Sequence, residues 1–456
     1  MASRRPLTLL GRSISSRTSE ARRHIRCQRR WNASVSQRPG SDRLLFPGAI
    51  NSLFTTALAF TRPADLAAMP TYRILDQDGQ IVDRAHAPPD ISTPDLLKMY
   101  ADMVSVSIMD TLMFDSQRQG LISFYMVSAG EEGIAVGSAS ALSPRDPIFA
   151  QYRETGIFQH RGFTPPDFMA QLFATADDPG RGRNMPVHYG SRKYNIHTIS
   201  SPLATQIPHA SGAAYAVKMQ DALDPTAERR VVACYFGEGA ASEGDFHAAL
   251  NIAATRACPV VFVCRNNGYA ISTPTLEQYR GDGIASRGVG YGIDTIRVDG
   301  NDILAVREVT RRARALALEE GGKPVLIEAM SYRVSHHSTS DDSFAYRARK
   351  DVEDWKRRDN PITRLRKYLE ARGLWDEAQE KELRSTTRRS ILEAYRKAEK
   401  AKHPPLRSVM EDVYVEVTEE QREQMARLGE VVGRYPGEYD VEGYEEGLEG
   451  LKMKGE

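Results

Sequence analysis

The stretch from Val231 to Tyr269 constrains this chain more than any other. An apolar run, Val231 to Phe236, ends in Gly237-Glu238-Gly239. A small-residue segment of helical character follows. A second apolar run, Pro259 to Cys264, then ends in Arg265-Asn266-Asn267. Short apolar runs on either side of a helix are the pattern of parallel strands buried on both faces. The acidic glycine turn and the twin asparagines are then expected at the same carboxyl edge of the sheet, where such folds bind ligands.

Those residue types suit a divalent metal that carries a diphosphate. Mg²⁺ prefers hard oxygens in a near-octahedral shell and takes few of them from protein. Glu238 can supply a carboxylate, Asn267 an amide oxygen and Tyr269 a peptide oxygen. Gly237 and Gly239 let the backbone approach phosphate, and a helix beginning near Ala240 would add about 0.3–1 kcal/mol through its positive end. An ordinary strand-to-helix turn with two loop asparagines is the plainer alternative. The pairing of the two motifs, each closing a strand, favours the metal. A dinucleotide fingerprint fails on detail: Gly237-x-Gly239-x-x-Ser242 lacks the third glycine, and the next strand ends in asparagines rather than an acid.

These residues resemble the cofactor motif of thiamine-diphosphate enzymes, usually Gly-Asp-Gly followed by Asn-Asn. Glu238 stands in place of the aspartate, as in a subset of 2-oxoacid dehydrogenases. The likeness extends through SQRQGLISFYM (116–126), QYRETGIF (151–158), MPVHYG (185–190), ISSPLATQIPHASGAAYA (199–216), RNNGYAISTPT (265–275), YRGDGIA (279–285) and SYRVSHHSTSDDS (331–343). Over about Phe46 to about Tyr414 the chain resembles the α subunits of mitochondrial 2-oxoacid dehydrogenases of the branched-chain kind. The implied activity is oxidative decarboxylation of branched-chain 2-oxoacids derived from leucine, isoleucine and valine. The acyl group would pass to a lipoyl group on a transacylase core.

The resemblance also implies roles for individual residues. Tyr152, Arg153, Arg265 and His337 would touch the diphosphate or the substrate pocket, and Gln151 would border the substrate. Glu238, Gly239, Ala240 and Asn267 would bind the cofactor's phosphate end. Backbone groups of Ser201 and Leu203 would lie against the thiamine rings. Ser200, Pro202, Thr205 and Gln206 present dense oxygens that read as a helix cap on sequence alone, and the resemblance implies a structural K⁺ there. His337 would carry protons at neutral pH. Ser338 would be a phosphorylation site served by a regulatory kinase and phosphatase. The family's second serine, ten positions on, is Ala348 here. Thiamine activation needs a second α/β domain that this chain does not contain, so a β subunit in an α2β2 assembly is expected. A pyruvate dehydrogenase α subunit and a catalytically inactive regulatory subunit are the rivals. RNNGYAISTP and SHHSTSDD argue against the first, and intact Glu238, Asn267, Arg153, Arg265 and His337 against the second.

Composition bounds the rest. Residues 1–44 hold eleven arginines, no lysine and only two acids, a net +9, so the formal +1 of the whole chain leaves −8 for the remainder. That composition predicts a mitochondrial presequence over 1–45 and a matrix location; a nucleic-acid-binding arm is the rival and lacks a partner fold. No apolar run approaches the ~18 residues of a membrane span. The four cysteines lack metal-site spacing. The expected fold is α/β, a doubly wound parallel sheet of the thiamine-diphosphate-binding type. An extended arm is expected over 46–92 and the α/β domain over 93–350, with a loop at 335–349. A helical region with a frayed acidic tail is expected over 351–456. Helix starts are expected at Thr93-Pro94, Thr164-Pro165 and Asn301, and DVYVEV (412–417) is expected as a strand or extended contact.

Overall fold

In the computed structural model, residues 43–46, 49–83, 85, 89–224, 226–319 and 321–452 are described. The expected presequence therefore lies almost wholly outside the described residues. Two compact units are separable. The smaller takes in the described residues up to Ala68 together with Met219–Glu228. It holds an antiparallel hairpin of β1 (Arg43–Phe46) and β2 (Ala49–Leu53).

The larger unit is built on a seven-stranded sheet. Its strands are β3 (Thr71–Tyr72), β4 (Ile148–Phe149), β5 (Ile196–His197), β6 (Val232–Gly237), β7 (Val260–Asn266), β10 (Asp294–Asp299) and β11 (Val325–Met330), while β8 (Tyr269–Ala270) and β9 (Thr273–Pro274) form a separate hairpin. The order is β3-β10-β11-β7-β6-β4-β5, and every pairing is parallel. The alternation of side chains across the pleat sorts the apolar runs onto two faces. Val231, Ala233, Tyr235, Val261 and Val263 join one core cluster; Val232, Cys234, Phe236, Val260, Phe262 and Cys264 join another. A run apolar at every position was needed because both faces are covered, as expected for a doubly wound sheet.

The helices that cover it are α1 (Thr93–Arg118), α2 (Glu132–Ala139), α3 (Thr155–Arg161), α4 (Pro165–Leu172), α5 (Gln206–Leu223), α6 (Gly244–Arg256), α7 (Thr275–Gln278), α8 (Ala285–Gly290) and α9 (Ile303–Ala317). Met99, Met103, Ile134, Ile157, Ile303 and Val306 from α1, α2, α3 and α9 fill the first cluster. Ala210, Ala214, Ala249 and Ala253 from α5 and α6, together with the large ring of Phe246, fill the second. From β4 the chain passes to β5 on one side, and β6 then lies on the other side of β4. This reversal between β4 and β6 opens a crevice at the carboxyl edge.

Several expectations are corrected. Helix α1 is capped by Ser92, whose hydroxyl accepts from the Asp95 N–H at 3.2 Å, with Pro94 inside the first turn. The start at Thr164 is as expected, with Asp167 accepting from the Thr164 N–H and hydroxyl. The cap of α9 is Asp302 rather than Asn301. Its Oδ1 accepts from the Leu304 and Ala305 N–H groups, while Oδ2 accepts from Ile74 and Leu75. That second pair of bonds explains why the expected arm is not irregular throughout: Thr71–Tyr72 is an edge strand and belongs to the sheet. No α-helix begins at Ala240. Ala240–Ser242 is a 3-10 turn, and α6 starts at Gly244.

Beyond the sheet come α10 (Arg349–Arg358), α11 (Pro361–Glu370), α12 (Glu377–Glu399) and α13 (Glu419–Arg434). DVYVEV forms no strand, and Val413, Tyr414 and Val415 are exposed. The acidic tail is not frayed up to residue 452. Glu446 pairs with Arg407 at 2.5 Å, His403 bridges to Tyr444, and Leu451 is buried. Cys234, Cys258 and Cys264 are free and buried, as core-packing cysteines should be.

Glu328, inside β11, is fully buried and accepts from Asn266 Nδ2 (2.8 Å), the Ile284 and Ala285 N–H groups (2.8 and 3.0 Å) and Arg297 Nε (3.0 Å). Truncating one partner of such a buried set strands all the others. Glu328→Ala should therefore destabilise by about 3–5 kcal/mol in urea unfolding. A loss below about 1 kcal/mol would show that these bonds are not what fastens β11 to its neighbours.

Candidate active site

Parallel pairing sets Gly237 beside Arg265 and Asn266 beside Met330, so the glycine turn and the asparagines share one edge. The twin asparagines face opposite ways. Asn266 turns into the sheet toward Glu328 and Tyr279. Asn267 turns its side chain toward Glu131 and Tyr269: its Nδ2 donates to Glu131 Oε1 at 2.8 Å and its Oδ1 accepts from the Tyr269 N–H at 3.2 Å, while its backbone N–H donates to Glu238 Oε2 at 3.4 Å.

Glu238 is 1% exposed, and its Oε1 has no hydrogen-bond partner. Burial pushes its carboxyl up to about 7. A buried carboxylate oxygen without a partner is costly. A hard cation held by Glu238, the Asn267 amide oxygen and the Tyr269 carbonyl would remove that cost, so the donor set fits Mg²⁺. No cluster of three or more His, Cys, Asp or Glu suited to a metal occurs among the described residues. The fit is thus to an ion that takes the rest of its shell from phosphate and water. A Cβ at Gly239 would lie 2.9 Å from that of Ala270, whereas the nearest atom to one at Gly237 is 3.8 Å away. Gly239 is needed for packing, and the space over Gly237 is open. Ala240 follows directly and is buried.

The other wall is basic. Arg153, 2% exposed, donates to the Val127 and His337 carbonyls (2.5 Å each) and lies 3.3 Å from His337 Nδ1. Arg333, 1% exposed, donates through one nitrogen to the Ile271 carbonyl and the Tyr346 hydroxyl, while its Nε and other terminal nitrogen have no partner. Arg347 donates to the Arg333 and Ser335 carbonyls. Burial and the neighbouring Arg153 hold the Arg333 guanidinium below its ordinary range. Burial, Arg153 and Arg333 push the His337 imidazole down to about 3. A proton carrier near neutrality was expected at His337. In the protein by itself the neutral ring is favoured, because burial and then the cations beside it disfavour a charge there. Such an excess of buried donors fits a polyanion. Tyr152 packs edge-on against His337, ring centroids 6.1 Å apart.

Two expected cofactor residues are held within the chain. Arg265 pairs with Glu131 (2.5 Å) and with Glu154, and reaches Gln151 Oε1 at 3.3 Å. Gln151 Oε1 also accepts from the Gly237 N–H at 2.9 Å. Ser201 Oγ lies 2.8 Å from His188 Nε2, and Leu203 is exposed. Thr205 Oγ1 donates to Ser200 Oγ and the Pro202 carbonyl, which brings three of the expected K⁺ oxygens together. The fourth, Gln206, instead turns its amide to the Tyr235 carbonyl. Ser338 is half-buried in a loop pinned by Asp341, whose Oδ2 accepts from the His337 N–H and the Tyr346 hydroxyl (2.7 Å each). That loop has a 3-10 turn at Ser343–Ala345, and α10 begins at its end. A cavity of 790 Å³ opens beside this edge, lined by Asn266, Gly268, Arg297, Ser331, Tyr332 and Trp355 but not by Glu238 or His337.

Glu131, Glu154, Arg333 and Arg347 are the site residues that sequence reasoning missed. The acid pair Glu131-Glu132 at the mouth of an otherwise apolar helix was the available signal for the first.

With no cofactor bound, the low His337 pKa means that the native state binds fewer protons than the unfolded chain between about 3 and 6.5. His337 therefore lowers stability as pH falls through that window, by up to about 1.4 kcal/mol per unit. In cofactor-free protein, His337→Gln should flatten the loss of urea stability between pH 6.5 and pH 5 by about 2 kcal/mol. Equal slopes in the two proteins would mean that the ring is not held neutral.

The chain is similar to known proteins over most of its length. The dehydrogenase E1 component family matches residues 100–407. The mitochondrial 2-oxoisovalerate dehydrogenase subunit alpha of Mus musculus is 50% identical over 404 residues, 89% of each chain. The Homo sapiens protein of the same name is 49% identical over 425 residues, 93% of this chain and 92% of its own. That of Dictyostelium discoideum is 52% identical over 374 residues, 82% of this chain and 83% of its own.

Proposed function

The chain belongs to the dehydrogenase E1 component family, and from that premise we propose that it is the α component of an enzyme that oxidatively decarboxylates branched-chain 2-oxoacids. The acyl group passes to a lipoyl group of a transacylase core. The observation that carries the reading is the partnerless Glu238 Oε1 beside Asn267, facing a wall of buried arginines that lack carboxylate partners of their own for every donor. Relatives named as 2-oxoisovalerate dehydrogenase support the substrate class.

Thiamine diphosphate, when bound, supplies the electron sink for loss of CO₂. The chain's residues supply position and charge. Glu238, Asn267 and the Tyr269 carbonyl hold Mg²⁺. Arg153 and Arg333 have donors free for phosphate oxygens, while Arg265 acts mainly through its braces to Glu131 and Glu154. Ser201 and Leu203 would meet the thiamine rings, and Ser200, Pro202 and Thr205 would hold K⁺, with Gln206 turned instead to the Tyr235 carbonyl. His337 Nδ1 faces Arg153 and accepts, so the neutral ring carries its proton on Nε2. An anion placed against that wall reverses the sign of the local field. It raises the His337 pKa toward neutrality, where Nδ1, the nitrogen that is bare in the neutral ring, could take up and release a proton. Phosphorylation of Ser338 by a kinase would set about −1.5 to −2 charges one residue from His337 and repel the same anion; a phosphatase would restore it. Relatives named as subunit alpha and as mitochondrial support a β partner, here in an α2β2 assembly, and a matrix location. No helix among the described residues is long and apolar enough to cross a membrane.

Assembled with its β subunit, the enzyme should turn over 3-methyl-2-oxobutanoate in preference to pyruvate, and the α chain alone should turn over neither. Glu238→Ala should weaken Mg²⁺-dependent cofactor binding by more than about 100-fold, beyond the cost of losing an outer-shell partner. Preference for pyruvate would overturn the substrate class. Native Mg²⁺ dependence in the Glu238→Ala enzyme would overturn the metal site.

A further inference from the structure

We infer that Glu131 is the residue that orients the metal-binding amide: by accepting from Asn267 and Arg265 at once, its carboxylate holds the Asn267 NH₂ and leaves the amide oxygen, not the NH₂, on the side of Tyr269 for a cation. The inference rests on the reading that Glu238 and Asn267 hold Mg²⁺.

An asparagine amide has one accepting end and one donating end of nearly the same shape. Only the oxygen can bind a cation, so a site built on Asn267 needs something to prevent the amide from turning over. The Tyr269 N–H favours the correct orientation by donating to Oδ1 at 3.2 Å. Glu131 acts from the other end, where its Oε1 takes Asn267 Nδ2 at 2.8 Å. The second oxygen, Oε2, takes a terminal nitrogen of Arg265 at 2.5 Å. Arg265 cannot turn aside, because its Nε is held by Glu154 and its other terminal nitrogen by Gln151. Both neighbours of Glu131 therefore donate to it, and Arg265 has no group with which to accept. Glu131 is 1% exposed and lies just before α2, within the packed core. Both of its oxygens are engaged as acceptors, one from Asn267 and one from Arg265. A carboxylate is the side chain that meets this demand, since each of its oxygens accepts independently.

A glutamine in place of Glu131 has the same shape and the wrong polarity. Its single oxygen goes to Arg265, which has no accepting group. Its NH₂ then meets the NH₂ of Asn267. Asn267 relieves the clash by rotating its amide, which turns NH₂ toward the cation. Exchanging the two groups, so that the carboxylate stands in place of the Asn267 amide, restores every bond. The introduced glutamine would accept from Arg265 and donate to one oxygen of the introduced aspartate, whose other oxygen is left for the metal. A residue that merely packs the core would not be rescued in this way.

The test uses the enzyme assembled with its β subunit and reads Mg²⁺ titrations of thiamine-diphosphate binding by tryptophan fluorescence. E131Q should raise the apparent Mg²⁺ dissociation constant about 10–100-fold, the usual cost of losing an outer-shell partner. E131Q/N267D should return it to near the native value. A native titration in E131Q, or a double variant as weak as the single, would overturn the inference. Should E131Q fail to assemble, the double variant decides alone: a near-native titration upholds the pairing, and weak binding or failed assembly overturns it. Glu238→Ala in the same assay separates the two levels. A native titration there sinks the metal reading itself, whereas loss of binding there with an unaffected E131Q sinks only the role of Glu131.

Discussion

The guanidinium of Arg265 is the point on which the site is built. It is 2% exposed and lies between two carboxylates, Glu131 and Glu154, whose side chains are fully buried. Taking these charges out of water costs several kcal/mol per ion, and that cost is offset only when every donor and acceptor is met. Here Gln151 meets a further donor, and its oxygen also takes the Gly237 N–H. One planar cation thus joins the end of β7, the turn after β4, the turn after β6 and the start of α2. The proposed metal ligands stand on that rim: Glu238 follows Gly237, and Asn267 lies two residues beyond Arg265.

The rim divides an acidic interior from a basic mouth. Behind Glu131, burial pushes the carboxyls of Asp110 up to about 7 and of Glu132 up to about 8. Asp110 accepts from the Tyr125 hydroxyl and the Ser128 N–H, and Glu132 from the Gly130 N–H. Several acids share this small volume because some of them remain protonated at neutral pH. In front of it lie Arg153, Arg333, Arg347 and His337. The basic side is short of anions and the acidic side is short of cations. A magnesium diphosphate, as proposed for this site, would bring both.

Much of the fold was legible in the sequence, and the reason is periodicity. Runs such as Val231–Phe236 are apolar at every position, which a strand covered on both faces requires. Helix ends were harder. Ser92 and Thr93 both carry hydroxyls, and Asn301 and Asp302 are both good caps, so neighbouring residues could not be ranked from chemistry alone. Asp302 prevails because its second oxygen holds Ile74 and Leu75, a contact made across more than two hundred residues of chain. At the site, Glu238 and Asn267 stood out because strands end there. Glu131 and Arg333 did not, since their importance comes from what tertiary packing denies or supplies to them. The low pKa of His337 was invisible for the same reason: it comes from the burial of the ring and then from the arginines around it.

The twin asparagines have a chemical consequence. Asn267 is followed by Gly268, the sequence in which a backbone nitrogen most readily attacks the preceding side-chain amide and expels ammonia. In the folded chain the Gly268 N–H is donated to Asn266 Oδ1 at 3.3 Å, and the Asn267 amide is tied at both ends. Asn266 thereby shields its neighbour from loss of the amide. Prolonged opening of this turn would convert Asn267 to an acid that faces Glu131, two like charges in a dry interior, so the working lifetime of the protein is tied to how seldom that turn comes undone.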